Sequence, residues 1–307
     1  MPNLTKNMLG NTGLNVTHLG FGAMEIRGVP RGRDVTAEQA DTILNAVLDA
    51  GINYIDTSID YGTSEEFIGR FISHRRDEFF IASKCGCKVG APPSPLPGPS
   101  AHEFTRENVI EGVEQSLKRM KTDYMDVVQF HMSPSMETLG ANGVLAALQE
   151  LQQQGKVRHI GMSGTLPNLP EHIDSGAFAV LQIPYSALER QHEDLISTAA
   201  AKGIGNVIRG GVAKGEPGES GMVGRVSWDT FEQAKLGELL DDGESRTSFM
   251  LRFTISHLGM HTTIVGTINP NHLQQNVDAV ERGPLPDGVY AEAKKRLAEV
   301  GQVPTVS

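Results

Sequence analysis

Phe79-Phe80-Ile81-Ala82-Ser83-Lys84 is an apolar run that stops at a lysine. Two other runs stop in the same way. Ile52-Asn53-Tyr54-Ile55 ends at Asp56, with Tyr61 close behind, and Val127-Val128-Gln129-Phe130 ends at His131. Short apolar runs of this kind read as buried strands of a parallel sheet, and the polar residue at each end opens the loop that follows. As parallel neighbours, these strands would bring an acid, a phenol, an amine and an imidazole to one patch.

Outward from these runs the same rhythm repeats. Strand-like segments near residues 16-20, 52-56, 79-84, 126-131, 158-163, 179-183, 204-209 and 262-266 alternate with helical patterns near 37-50, 64-73, 105-120, 141-154, 168-176, 191-202, 245-258 and 270-280. A final amphipathic stretch near 288-299 predicts an extra C-terminal helix. Thr36 and Thr105 stand as N-caps, and Gly51, Gly155 and Gly203 as helix stops. Eight β-α units closing on themselves predict an α/β (β/α)8 TIM barrel, one domain over 1-307, with its chemistry at the C-terminal ends of the strands. The segments 25-35, 91-100 and 210-224 break the rhythm after strand ends and read as loops on that face.

The 307 residues carry a formal net charge of -10. That balance argues against nucleic acid or an anionic membrane as partner, since both are met by dense Lys/Arg surfaces. No run of about 20 apolar residues could form a membrane span. Met1 to Gly10 lacks the basic start and apolar stretch of a signal peptide, so a cytoplasmic location is expected. Cys85 and Cys87 are too few and too close for a disulfide framework; they read as reduced, softly packed thiols and not as half of a metal site. Arg209 to Gly215 is the local candidate for cradling phosphate. Oligomeric state is not legible.

A phenol is a poor proton donor at neutral pH unless a nearby cation stabilises its phenolate, and Lys84 is the natural cation for Tyr61. A buried ammonium needs a counter-ion, which Asp56 supplies. A neutral His131 would donate a hydrogen bond to a substrate oxygen. Such a set polarises a carbonyl and protonates its oxygen. It holds no hydride source, so a cofactor must bring one.

Asp56-Thr57-Ser58 with Tyr61-Gly62, then Lys84, then His131, resembles the catalytic tetrad of the aldo-keto reductases. Leu19 to Met24, Gly161-Met162-Ser163, Gln182 with Pro184-Tyr185-Ser186, and Ile264 to Thr267 followed by Gln275-Asn276 agree with that family in order and spacing. The resemblance implies NAD(P)H-dependent reduction of a small-molecule aldehyde or ketone, and the reverse oxidation, with Tyr61 as general acid and base. It implies that Ser163 and Gln182 hold the nicotinamide carboxamide, with Gly164 beside them at a cofactor-binding position but lacking the contact an asparagine would make. Gly22, Met24, Arg209, Gly210, Gly211, Val212 and Lys214 would contact the ribose and pyrophosphate. Gly266, Thr267, Asn269, His272, Gln275 and Asn276 would grip the adenosine end.

Three positions depart from the family's commonest pattern: Gly164 replaces an asparagine, Arg209 an aromatic residue, and His272 an arginine that clamps the adenosine 2'-phosphate. NADP(H) is therefore expected with reduced selectivity, NAD(H) being admissible. Two rival readings keep the barrel: a Schiff-base aldolase using Lys84, and a nicotinamide-binding redox-sensing subunit without turnover. Ile26, Met132 and Trp228 are the candidate substrate contacts, with packing an equal reading for Trp228; Arg27 lies nearby. His102, His172, His192, His257 and His261 read as surface or cap residues, and no metal is expected.

Overall fold

The structure, a computed structural model, describes residues 4–91, 101–213 and 228–305. Lys214, and the parts 92-100 and 214-224 of two predicted loops, lie outside the described residues.

An antiparallel hairpin of β1 (Lys6–Met8) and β2 (Asn15–Thr17) precedes the barrel. The barrel strands are β3 (Leu19–Gly22), β4 (Tyr54–Asp56), β5 (Phe80–Cys85), β6 (Met125–Phe130), β7 (Val157–Ser163), β8 (Val180–Pro184), β9 (Gly205–Arg209) and β10 (Thr262–Val265). Every neighbour is parallel, and β10 pairs with both β9 and β3, which closes the ring. The predicted (β/α)8 barrel is thus the observed one.

Helices follow strands as expected. α1 (Ala37–Asp49) carries a complete capping box at its start, with the Thr36 hydroxyl accepting from the Gln39 amide and the Gln39 side chain accepting from the Thr36 amide. α2 (Ser64–Phe71), α3 (Arg106–Met120), α4 (Met136–Ala141), α5 (Val144–Gln153), α6 (Leu169–Asp174), α7 (Glu193–Ala201), α8 (Asp229–Gln233), α9 (Arg246–Ile255), α10 (Pro270–Glu281) and α11 (Asp287–Glu299) complete the described set. Thr105 caps α3 by accepting from the Asn108 amide, and α11 is the predicted extra helix. None of these helices is long and apolar enough to cross a membrane.

One boundary differs in a telling way. The run at 16-20 predicts a single strand, but the chain splits it at His18. The Thr17 hydroxyl donates to the Leu19 carbonyl at 2.7 Å and the Thr17 amide to Asn53 Oδ1 at 2.7 Å, turning the chain between hairpin and barrel. Leu9, Leu14 and Val16 of the hairpin pack with Tyr54, Ala82, Val127, Val180 and Val207 inside the barrel. The hairpin therefore plugs the end where the strands begin. Above this apolar layer the inward positions turn polar, at Asp56, Lys84, Gln129 and Gln182, all nearly fully buried.

Candidate active site

The strand register explains how the polar layer forms. Asp56 pairs in register with Ala82, Lys84 with Gln129, Gln129 with Gly161, and Ser163 with Gln182. A Cβ at Gly161 would stand 2.9 Å from the Val180 carbonyl oxygen and 3.0 Å from Gln129 Cγ, so the glycine leaves room for the Gln129 side chain. Lys84 Nζ donates to Asp56 Oδ2 at 2.6 Å and to the Thr57 carbonyl at 2.7 Å. The other Asp56 oxygen accepts from the Gln182 amide at 2.6 Å and the Gln129 amide at 3.2 Å. An ion pair this deep is tolerated because Lys84 makes two hydrogen bonds and Asp56 accepts three.

Tyr61 sits above the pair, with Lys84 Nζ 4.9 Å from its ring centre. Burial raises the phenol above its ordinary value; Lys84 pulls it back, while Asp56 and Asp60 push it further up. For Lys84, burial disfavours the charge, but Asp56 and Tyr61 more than offset this and the amine is held above its ordinary value. It stays an ammonium. His131 lies edge-on to Tyr61 with ring centres 6.5 Å apart. Burial lowers its pKa to about 3, Asp60 opposing and Lys84, His102 and Arg209 assisting. The imidazole is therefore neutral, as the sequence reading required. Asp56, Tyr61, Lys84 and His131 are thus brought together.

The candidate cofactor residues ring the same mouth. Ser163 ends β7 and its hydroxyl faces Gln182 Oε1 at 3.5 Å; the Gly164 amide donates to the Gln182 carbonyl at 3.0 Å. Gln182, expected at a carboxamide, spends one amide proton on Asp56. A Cβ at Gly164 would come 2.8 Å from Leu169 Cδ1, so an asparagine here would require Leu169 to move. Arg209 ends β9, close enough to Tyr61 and His131 to bias both. Gly210 adopts φ +78°, and Gly211 is packed so that a Cβ would stand 2.8 Å from Thr263 Oγ1; Val212 follows, packed against the core. Gly22 ends β3, Met24 lies in the short 3-10 turn Ala23–Ile26, and a Cβ at Gly266 would meet the Gly22 carbonyl at 2.5 Å. Thr267 precedes α10, whose Asn269 cap accepts from the Asn271 amide at 2.9 Å. His272 is half-buried on α10, Gln275 exposed and Asn276 buried.

Several sequence readings need correction. Ile26 is fully buried in the core, not at the mouth, because the 3-10 turn after β3 directs it inward. Met132, just past β6, is 46% exposed and remains available. Trp228 packs on Phe231 with ring centres 5.5 Å apart and is largely buried, which is the packing reading. His172, His192 and His257 are buried, not on the surface, although His192 does stand at the N-cap position of α7, without a side-chain cap bond. Each binds backbone: His172 faces the Pro134 carbonyl at 2.7 Å, His192 accepts from the Leu166 amide at 3.2 Å, and His257 faces the Glu193 carbonyl at 3.1 Å. Cys85 packs in the core as expected. Cys87 does not merely pack: its sulfur lies 3.2 Å from His131 Nδ1 and 3.5 Å from His102 Nε2. Gln129, Cys87 and His102 are the site residues that sequence reading passed over; the alternation of β6, which puts Gln129 on the same face as His131, was the one usable signal.

Comparison with known proteins agrees with this geometry. The model of the Aldo/keto reductase family matches residues 18–297. The chain belongs to that family and is an NAD(P)-dependent oxidoreductase. It is 26% identical over 293 residues to the uncharacterized oxidoreductase YqkF of Bacillus subtilis, covering 90% of this chain and 91% of that one. It is 26% identical to L-galactose dehydrogenase of Arabidopsis thaliana, covering 91% and 89%. The holo form of aldo-keto reductase AKR11C1 from Bacillus halodurans superposes with a TM-score of 0.79 at 26% identity, covering 97% of this chain and 96% of that chain.

Proposed function

We propose that this barrel, acting as a single domain, reduces an aldehyde or ketone using NADPH, with Tyr61 as proton donor. The observation that carries the reading is the buried Lys84–Asp56 pair, with Lys84 Nζ 4.9 Å from the centre of the Tyr61 ring. The residues at the mouth suit a dinucleotide: the close approach of Gly266 to the Gly22 carbonyl leaves no room for a side chain at Gly266, Arg209 offers a cation, and the exposed start of α10 offers the positive end of its helix dipole. When bound, the reduced nicotinamide supplies the hydride. Tyr61 gives its proton to the carbonyl oxygen. Lys84 stabilises the phenolate left behind, Asp56 and the two glutamine amides hold Lys84 in place, and His131 donates a hydrogen bond to the same oxygen through Nε2. Oxidation runs the same steps backwards. The free, buried Cys85 and Cys87 support a reducing compartment, and the cytoplasm is our proposed location.

The aldolase alternative is disfavoured by the Lys84 ammonium, which is bonded to Asp56 and held above its ordinary pKa and so makes a poor nucleophile. Screening a carbonyl panel with NADPH tests the proposal. Turnover that falls by about 10²–10⁴-fold in Tyr61→Phe is expected. Cofactor binding without turnover across the panel would instead favour the sensor reading. For cofactor choice, His272 offers a weaker grip on a 2'-phosphate than an arginine's bidentate one. We expect kcat/KM to favour NADPH over NADH modestly, with His272→Arg widening the preference by about tenfold. A large advantage for NADH would overturn the choice.

A further inference from the structure

Cys87 Sγ, His102 Nε2 and His131 Nδ1 form a triangle with edges of 3.2, 3.5 and 3.2 Å, the last being the separation of the two ring nitrogens. A tetrahedral zinc ion, bound at about 2.05 Å to nitrogen and about 2.3 Å to sulfur, holds its nitrogens about 3.3 Å apart and its sulfur about 3.6 Å from each. The observed triangle is one face of that tetrahedron to within a few tenths of an ångström. We propose that Cys87, His102 and His131 bind a zinc-class transition-metal ion, leaving one coordination position open.

The backbone builds this triangle. Cys87 and His102 face each other across an isolated antiparallel bridge, so their side chains share one face. The Lys88 amide donates to the Ala101 carbonyl and the Glu103 amide to the Gly86 carbonyl, both at 2.8 Å. Asn108 fastens the same segment, donating to the Cys87 and Glu103 carbonyls at 3.1 and 2.8 Å and accepting from the Val89 amide at 2.9 Å. The third ligand is anchored separately, its amide donating to the Cys85 carbonyl at 3.1 Å. Ligands held this way need little reordering to receive an ion. One thiolate and two imidazoles select zinc or copper over magnesium and calcium. Asp60 adds a negative charge, its Oδ1 3.9 Å from His131 Nδ1.

On binding, the Cys87 thiol releases its proton to solvent as the sulfur–metal bond forms, with no change in oxidation state. An ion on Nδ1 also fixes His131 as the Nε2–H tautomer, the form that can donate to a carbonyl oxygen. This consequence rests on the proposed carbonyl reduction; ion binding does not.

The test is titration of the purified full-length protein with Co²⁺ and then Zn²⁺. We expect one ion per chain, a thiolate-to-cobalt charge-transfer band, and displacement of cobalt by zinc. Cys87→Ser should abolish the band, and His102→Ala, at a half-buried position, should weaken zinc binding by about 100-fold. Circular dichroism checks that each variant folds. Should Cys87→Ser not fold, the ¹⁵N-labelled His131 Nδ1 resonance of the unsubstituted protein decides instead: it should shift on adding Zn²⁺, and an unmoved resonance would count against the site. No charge-transfer band, a band that survives Cys87→Ser, or unchanged zinc affinity in His102→Ala would overturn the proposal. None of these readouts uses turnover, so failure here and failure of the carbonyl-reductase reading are distinguishable.

Discussion

Two buried carboxylates occupy opposite ends of the barrel, and their partners differ. Asp56, at the mouth, is bound by an ammonium whose side chain is 1% exposed and by two buried glutamine amides. Asp126, at the start of β6, is fully buried but is bound by Arg76 at 2.6 Å and Arg158 at 2.9 Å, whose side chains are 14% and 47% exposed. Both guanidiniums stack over the Tyr124 ring, at 4.3 and 3.9 Å, and Asp126 also accepts from the Ile81 amide at 2.9 Å. At the base, charge reaches water through its cations and the carboxylate ties β5 to β6. At the mouth the whole pair is sealed from solvent, and its cation faces a phenol. Similar burial therefore serves two ends: cross-strand anchoring below, and an electrostatic setting for Tyr61 above.

The contrast is sharpest in single substitutions. Lys84→Met strands Asp56 as an uncompensated buried charge, so urea unfolding should show a loss of about 3–5 kcal/mol, and turnover should fall with it. A stability loss below about 1 kcal/mol would show that the mouth is wetter than its burial implies. Asp126→Asn leaves two cations that can turn to water, and one buried amide whose acceptor is weakened. The expected loss is about 1–3 kcal/mol by urea unfolding, with kcat unchanged. A fall in kcat would mean that the two ends are coupled.

A smaller effect is expected from pH. Burial, with Arg209 assisting, lowers His192 to about 4 from its ordinary 6.5. Between those values the unfolded chain takes up a proton that the folded chain does not. The stability present above pH 6.5 is thus lost as pH falls towards 4. His192→Gln should flatten the slope of stability against pH in that window without removing it, since His131, His172 and His257 are also lowered by burial. Thermal melts across about pH 4 to 7 measure this, and an unchanged slope would mean that His192 titrates freely.

Much of the barrel was legible because buried parallel strands must be apolar on both faces, which makes runs such as Phe79 to Ser83 stand out from amphipathic helices. The caps at Thr36 and Thr105 were legible because capping is local chemistry. The break at His18 was not, since it depends on Asn53, which is distant in sequence and reaches back to the Thr17 amide. Of the site, Asp56, Tyr61, Lys84 and His131, at or just after strand ends, were visible, while Gln129 inside β6 and His102 on the loop after β5 were not. His102 looked like a surface histidine because nothing local says that a bridge to Cys87 folds it beside His131. Ile26 misled in the other direction, since a 3-10 turn sends a residue near the mouth into the core.

The linear chain by itself determined the alternation of strands and helices, the order of Asp56, Tyr61, Lys84 and His131, and the need for an outside hydride source, because apolar periodicity and side-chain chemistry are written residue by residue. Only the tertiary structure decided what those groups touch. Ring closure sets the register that turns Gln129 and Gln182 onto Asp56, and the isolated Cys87–His102 bridge brings both of those side chains against His131 Nδ1. Contacts between strands far apart in sequence depend on barrel geometry, and no local pattern encodes them.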